Sequence, residues 1–232
     1  MSFLSSTNYE NTILWYCSDN GGLPQVGTTG GRGNKGNMYE GGLRVPAILE
    51  WPSRIKEPRI TRFPSTTSDI FPTLLDIVGV QVDPNRPIDG ISLVPVLNEQ
   101  TNNRDRPMGF WNYPVPGIST PSAAWMAELL EAQRNGDMIG DSSRLRLDDI
   151  QIKTQYPLDT LTGHAAWLDW PWKLHRIQDR SGDLQWELYS MDEDPQESEN
   201  LVRVETDRVA KMKTALEEWQ RSVVRSMYGS DY

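Results

Sequence analysis

Three residues invite a chemical reading before any fold is assigned. Asp19 and Asn20 stand together after an apolar run, and Lys35 follows within a glycine-rich stretch. A carboxylate and an amide carbonyl are hard oxygen donors, which suit Ca²⁺ or Mg²⁺ better than zinc or copper. Ca²⁺ takes about six to eight oxygens, so this pair alone would be only part of a donor set. The same DNGG is also an ordinary turn sequence. Lys35 among glycines can set a cation where backbone amides also approach an anion, as in phosphate or sulfate binding. A solvated loop lysine would read identically.

Other motifs carry less. Gly31-x-Gly33-x-x-Gly36 has the letters of a dinucleotide fingerprint. That fingerprint needs its glycines at the turn directly leaving a strand, and these come well after the apolar run ends. A phosphate-binding P-loop is excluded because Asn34 rather than glycine precedes Lys35. Cys17 lies inside the apolar run and reads as a small apolar filler, not a nucleophile. Of the two histidines, His175 falls among packing residues of an alternating segment and reads as structural. His164 follows Gly163 at a strand entrance, where pockets often lie, and is a candidate for substrate contact.

The elements that must position these residues follow from periodicity. Residues 12–17, TILWYC, form a nearly continuous apolar run of strand length, which suggests a strand buried in a parallel sheet. Residues 20 to 44 carry nine glycines and read as one long functional loop. Residues 45–51 form a second apolar strand entered at Pro46. Residues 66–80 predict a helix with Ser68 as N-cap, Pro72 near the first turn and Gly79 past the end. DGISLVPVL reads as a short helix or turn. Beyond it, PMGFWNYP predicts a strand, residues 122–135 a helix, and 136–162 a polar irregular stretch.

HAAWLDWPWKLHRI and LQWELYS then predict antiparallel strands, with Trp172, Leu174 and Arg176 on one face and Lys173, His175 and Ile177 on the other. Val209, Met212, Leu216, Trp219, Val223 and Met227 repeat at three- and four-residue spacing, the apolar stripe of a helix covering that sheet. A boundary near residue 104 divides residues 1–104 from a second domain of residues 105–232.

Composition bounds the function. The 232 residues are 37% apolar and 24% charged, as in globular proteins, and no run approaches a membrane span. A net charge of −9 argues against nucleic acid as a partner. One cysteine excludes an internal disulfide framework and a multi-cysteine metal site. The first residues lack the basic region and long apolar stretch of a signal peptide. Met1 stands only about ten residues before a strong strand, late for a domain opening.

SDNGG, RGNKGNMYEGGLRVPAILEWPSRI, TTSDIFPTLLDIVGV, PIDGISLVPVL and WELYSMDEDPQESENL occur in that order. Together they resemble the second half of a formylglycine-dependent sulfatase, a branch of the alkaline-phosphatase-like superfamily. The similarity is strong over residues 10–100 and moderate over 165–202, while 112–162 matches nothing general. The resemblance implies an α/β fold: the end of an alkaline-phosphatase-like domain, followed by a small α+β domain with an antiparallel sheet and a C-terminal helix.

It also implies roles for single residues. Asp19 and Asn20 match the family's two late metal ligands, usually to calcium, with magnesium as the alternative. Lys35 matches the lysine that binds the sulfate group and assists the leaving oxygen. Tyr39, Glu40, Gly41, Gly42 and Arg44 match the motif that shapes the return from the loop, and Asp69 and Asp89 match as scaffold. The family's nucleophile arises from C/S-x-P-x-R, and this chain has no such sequence: Cys17 is followed by Ser18-Asp19-Asn20-Gly21, and Ser119-Thr120-Pro121 has Ala123 where the arginine would stand. The formylglycine, the early acidic metal pair and the early lysine and histidine are therefore expected in sequence preceding Met1, and the chain alone is expected to be inactive.

The expected partner is a sulfated small molecule or sulfated carbohydrate; most of the nine tryptophans read as core, and Trp111, Trp125, Trp167, Trp170 and Trp172 are compatible with a sulfated sugar. A periplasmic or secreted setting is implied for an intact relative. Three other readings stay open: a phosphodiesterase or phosphonate hydrolase of the same superfamily, a non-catalytic binding remnant, and a truncated gene product without a function of its own.

Overall fold

Residues 12–17 do form a strand, but not the buried parallel one that their apolar content suggests. In the computed structural model, which describes residues 9–23, 30–81, 83, 85–113, 127, 130–136, 160–179 and 181–230, β1 (Leu14–Cys17) pairs antiparallel with β2 (Ala47–Glu50), Leu14 opposite Glu50 and Cys17 opposite Ala47. A parallel return needs a crossover, usually a full helix. Between these strands the one helical element described is the single turn α1 (Glu40–Leu43). The ribbon's outward side chains stay open, Tyr16 at 59% and Ile48 at 62% exposure.

After β2, a 3₁₀ turn (Thr67–Asp69) leads into α2 (Ile70–Ile77). The cap is not Ser68. Thr66 and Asp69 form a reciprocal capping box, Asp69 accepting the Thr66 N–H at 2.8 Å. The same carboxylate is fully buried and grips Arg104 at both oxygens, 2.8 and 3.0 Å, and takes the Ile91 N–H at 2.8 Å. Thr73 Oγ1 donates to Asp69 O at 2.6 Å and accepts the Leu93 N–H at 2.9 Å, which ties α3 (Val94–Leu97) to α2. Asp69 is thus scaffold, as its position in the motif implied.

Past residue 104 the chain forms a four-stranded antiparallel sheet in the order β3 (Met108–Asn112), β4 (Gly163–Asp169), β5 (Trp172–Gln178), β6 (Leu184–Ser190). The predicted alternation on β5 is real. Leu174, with Ala165 and Leu188, faces the long helix α4 (Thr206–Met227), meeting its Val209, Met212 and Leu216 in one core. Trp111, Trp167, Trp172 and Trp186 pack round that core. So Trp111, Trp167 and Trp172 bury the helix-facing side and are not a sugar platform, while Trp125 lies outside the described residues. Trp219 of α4 lies on Gly109, where a Cβ would fall 2.3 Å from its ring, and its Nε1–H reaches Asp89 at 3.3 Å.

Residues 1–113 and 161–232 form one compact unit and 114–160 another. In the second unit residues 130–134 are helical. The rest of the helix expected over 122–135, and most of the polar stretch 136–162, lies outside the described residues. No helix of the described residues is long and apolar enough to cross a membrane.

Candidate active site

The glycines at the start and end of the loop bring its distant parts together. Gly21 N–H donates to Gly42 O at 2.9 Å, and a Cβ on Gly21 would fall 2.0 Å from Gly41 O. Gly41 itself lies against Gly33 O, and Gly42 against Asn37 O, each 2.2 Å from a Cβ built there. Real Cβ atoms do not approach backbone so closely, so three glycines let three backbone segments stack. Lys35 N–H then donates to Gly22 O at 2.9 Å. The lysine's backbone is thereby fastened three residues from Asp19. Its ammonium is exposed and makes no hydrogen bond or ion pair among the described residues.

Asp19 is exposed and Asn20 half-buried. Asn20 Nδ2 donates to Gly21 O at 3.0 Å, which leaves its carbonyl oxygen available beside the Asp19 carboxylate. Two such oxygens fit a hard cation in kind but not in number. Among the described residues no group of three or more His, Cys, Asp and Glu could hold a metal ion. Cys17 is a free, half-buried thiol within β1.

His164 is placed elsewhere, in a buried network that sequence reasoning did not find. Its Nδ1 accepts the Met38 N–H at 3.4 Å, and its Nε2 lies 2.9 Å from His175 Nδ1. His175 Nε2 lies 2.9 Å from Glu197 Oε1. A carboxylate only accepts, so His175 carries its hydrogen on Nε2 and receives one on Nδ1 from His164 Nε2–H. Both rings are neutral in this chain of donors. Burial agrees, pushing His164 down to about 3 and His175 well below its ordinary value. With both nitrogens of His164 engaged, its ring has no donor left for a substrate.

Glu197 also takes Lys173 Nζ at 2.9 Å and the Glu40 N–H at 2.7 Å, and Lys173 reaches Glu40 Oε1 at 2.8 Å. A second cluster sits alongside. Tyr39 and Tyr189 donate to Glu187 Oε2 at 2.7 and 2.8 Å, and Arg32 reaches the same oxygen at 3.1 Å while lying over the Tyr39 ring. Burial opposes ionisation of Glu187, but those hydrogen bonds and the guanidinium outweigh it and hold the carboxyl below its usual range. Burial and the carboxylate push both tyrosines up. Lys173 and His175 share the strand face that alternation had marked. Their partners lie too far along the chain for spacing to reveal.

Part of the chain is similar to known proteins. Residues 3–80 match the model of the family described as Sulfatase. Mouse (Mus musculus) steryl-sulfatase is 34% identical over 96 residues, 37% of this chain and 15% of that protein. Human (Homo sapiens) arylsulfatase H is 37% identical over 105 residues, 41% of this chain and 19% of that protein. Among solved structures, Ps i-CgsB superposes at TM-score 0.62 with 20% identity, over 91% of this chain and 37% of that one; it has also been solved with k-i-k-neocarrahexaose. BT4656, solved with its substrate D-glucosamine-2-N,6-O-disulfate, superposes at TM-score 0.54 with 23% identity, over 92% and 35%. Residues 3–80 are thus similar to the sulfatase family, and the α/β fold is that of those structures. The chain spans less than a fifth of the length of these two curated relatives.

Proposed function

We propose that this chain contributes to a sulfuric ester hydrolase the metal-holding pair Asp19–Asn20 and the anion-holding Lys35. The observation that carries the reading is the Lys35 N–H···Gly22 O bond, which fixes the lysine's loop beside the acid–amide pair. Lys35 Nζ donates to the sulfuryl oxygens and to the leaving oxygen, stabilising charge as it develops there. Asp19 and the Asn20 carbonyl hold Ca²⁺, with Mg²⁺ as the alternative; the metal would supply Lewis-acid stabilisation of the same oxygens. The formylglycine nucleophile is not encoded by this sequence, which has no C/S-x-P-x-R.

The substrate class is a sulfated carbohydrate. Support comes from the structural relatives solved with k-i-k-neocarrahexaose and with D-glucosamine-2-N,6-O-disulfate. The test is turnover of an aryl sulfate. The chain alone should give none; mixed with a formylglycine-bearing segment of an intact relative, turnover should require both Lys35 and Asp19. Turnover by the chain alone, or turnover in the mixture that survives Lys35→Ala, would refute the assignment.

A further inference from the structure

The buried network holds one thing, the loop that carries Lys35. Its exit arm is fixed at the Met38 N–H by His164, at the Glu40 N–H by Glu197 and at the Glu40 carboxylate by Lys173. Its entry arm is fixed by Arg32 on Glu187 and Tyr189, and Gly36 O accepts from Asn112 Nδ2 at 2.9 Å. Lys35 sits between these holds with its own ammonium unengaged among the described residues. Lys173, Glu197 and His175 are almost or wholly buried. Burying such groups is costly unless each is paired, and hydrophobic residues of similar volume often stabilise as well.

Glu197 also adopts a φ of +55°, a left-handed conformation that costs a non-glycine residue roughly 1 kcal/mol or more. A strained backbone and a buried ion triad are an expensive way to fill a core. Both converge on the Glu40 N–H and the three contacts of one carboxylate.

We propose that Glu197, through Lys173, Glu40 and the His164–His175 pair, is a positioning residue for Lys35, clamping the glycine-rich loop in its anion-binding conformation. This rests on the anion-holding role given to Lys35 above. Glu197→Gln is the sharp variant. An amide can accept from Lys173, but its NH₂ group cannot accept the Glu40 N–H. Glu40→Ala is the gentler companion, because Glu40 is only partly buried and its loss removes the Lys173 contact while Lys173 stays paired with Glu197.

Two readouts on the full chain separate positioning from general stability. Hydrogen–deuterium exchange of residues 30–43 should quicken about tenfold or more in both variants, the factor that losing one charge-assisted hydrogen bond implies. Peptides of β6 and α4 should keep their protection. In the ¹³C-dimethyl-lysine spectrum, the Lys35 signal is identified with Lys35→Arg. Unchanged loop exchange in both variants, or equal quickening of β6 and α4, would overturn the clamp.

Inorganic sulfate titrated into the native chain should shift the Lys35 signal, and shift it less in both variants. An equal shift in native and variant chains would also overturn the proposal. No shift in the native chain would instead refute the anion-holding role itself, while the exchange measurement still judges the clamp.

Discussion

Acidification from pH 7 to pH 5 should destabilise this protein through its two histidines alone. The chain has only these two, and both are buried and neutral beside Lys173, Glu187, Glu197, Tyr39 and Tyr189. The ordinary value of 6.5 falls to about 3 for His164 and well below 6.5 for His175, through burial first. Below pH 6.5 the unfolded chain therefore binds protons that the folded chain refuses, and stability falls with pH down to the folded values. At about 1.4 kcal/mol per pH unit for the proton that His164 refuses, its share of the loss reaches about 2 kcal/mol at pH 5, and His175 adds to the loss in the same direction.

The depressed carboxyl Glu187 cannot mimic this. Its ordinary value is 4.5, so its contribution is lost only as pH falls below that. Urea denaturation at pH 7, 6 and 5 measures the effect, and His164→Gln should lower the slope of stability against pH. Stability constant to within about 0.5 kcal/mol over that range would mean the rings take up protons in the folded state, and the assigned tautomer chain would be wrong.

Other perturbations test other parts. Gly21→Ala forces a methyl against the Gly41 carbonyl and should cost about 1–3 kcal/mol in thermal or urea unfolding, with loop 30–43 exchanging faster. Arg104→Met strands the fully buried Asp69 carboxylate and should cost about 3–5 kcal/mol, far more than any exposed ion pair in the chain. Leu216→Ala empties the centre of the sheet–helix core and should cost about 2–5 kcal/mol, read by chemical denaturation.

Periodic features were legible in the sequence and non-local ones were not. The stripe Val209, Met212, Leu216 and the alternation of Lys173, Leu174 and His175 are set by backbone geometry, so spacing reveals which face each residue takes. β1 was misjudged because an apolar run looks the same in a buried parallel strand and in an open antiparallel ribbon. What decides is the connection, and the glycine loop, with one helical turn among its described residues, returns the chain antiparallel. Trp111, Trp167 and Trp172 serve the core rather than a sugar, a distinction composition cannot make because it marks an aromatic surface without telling whether a helix covers it. Asp19, Asn20 and Lys35 were found by residue type, and the structure adds the Lys35–Gly22 bond that joins their loops. Glu197 stayed hidden because its partners lie 22 residues away at His175 and 157 at Glu40, a distance no motif spans.

The account turns on Asp19 and Asn20 being two oxygens of a larger metal site, and a calorimetric Ca²⁺ titration of the chain tests that most directly. Affinity grows with ligand number and charge, so two donors should bind Ca²⁺ no tighter than about millimolar, with the heat lost in Asp19→Ala. Micromolar binding would show a complete site within this chain, and weak binding that survives Asp19→Ala would show that the acid–amide pair is a turn and not a metal ligand.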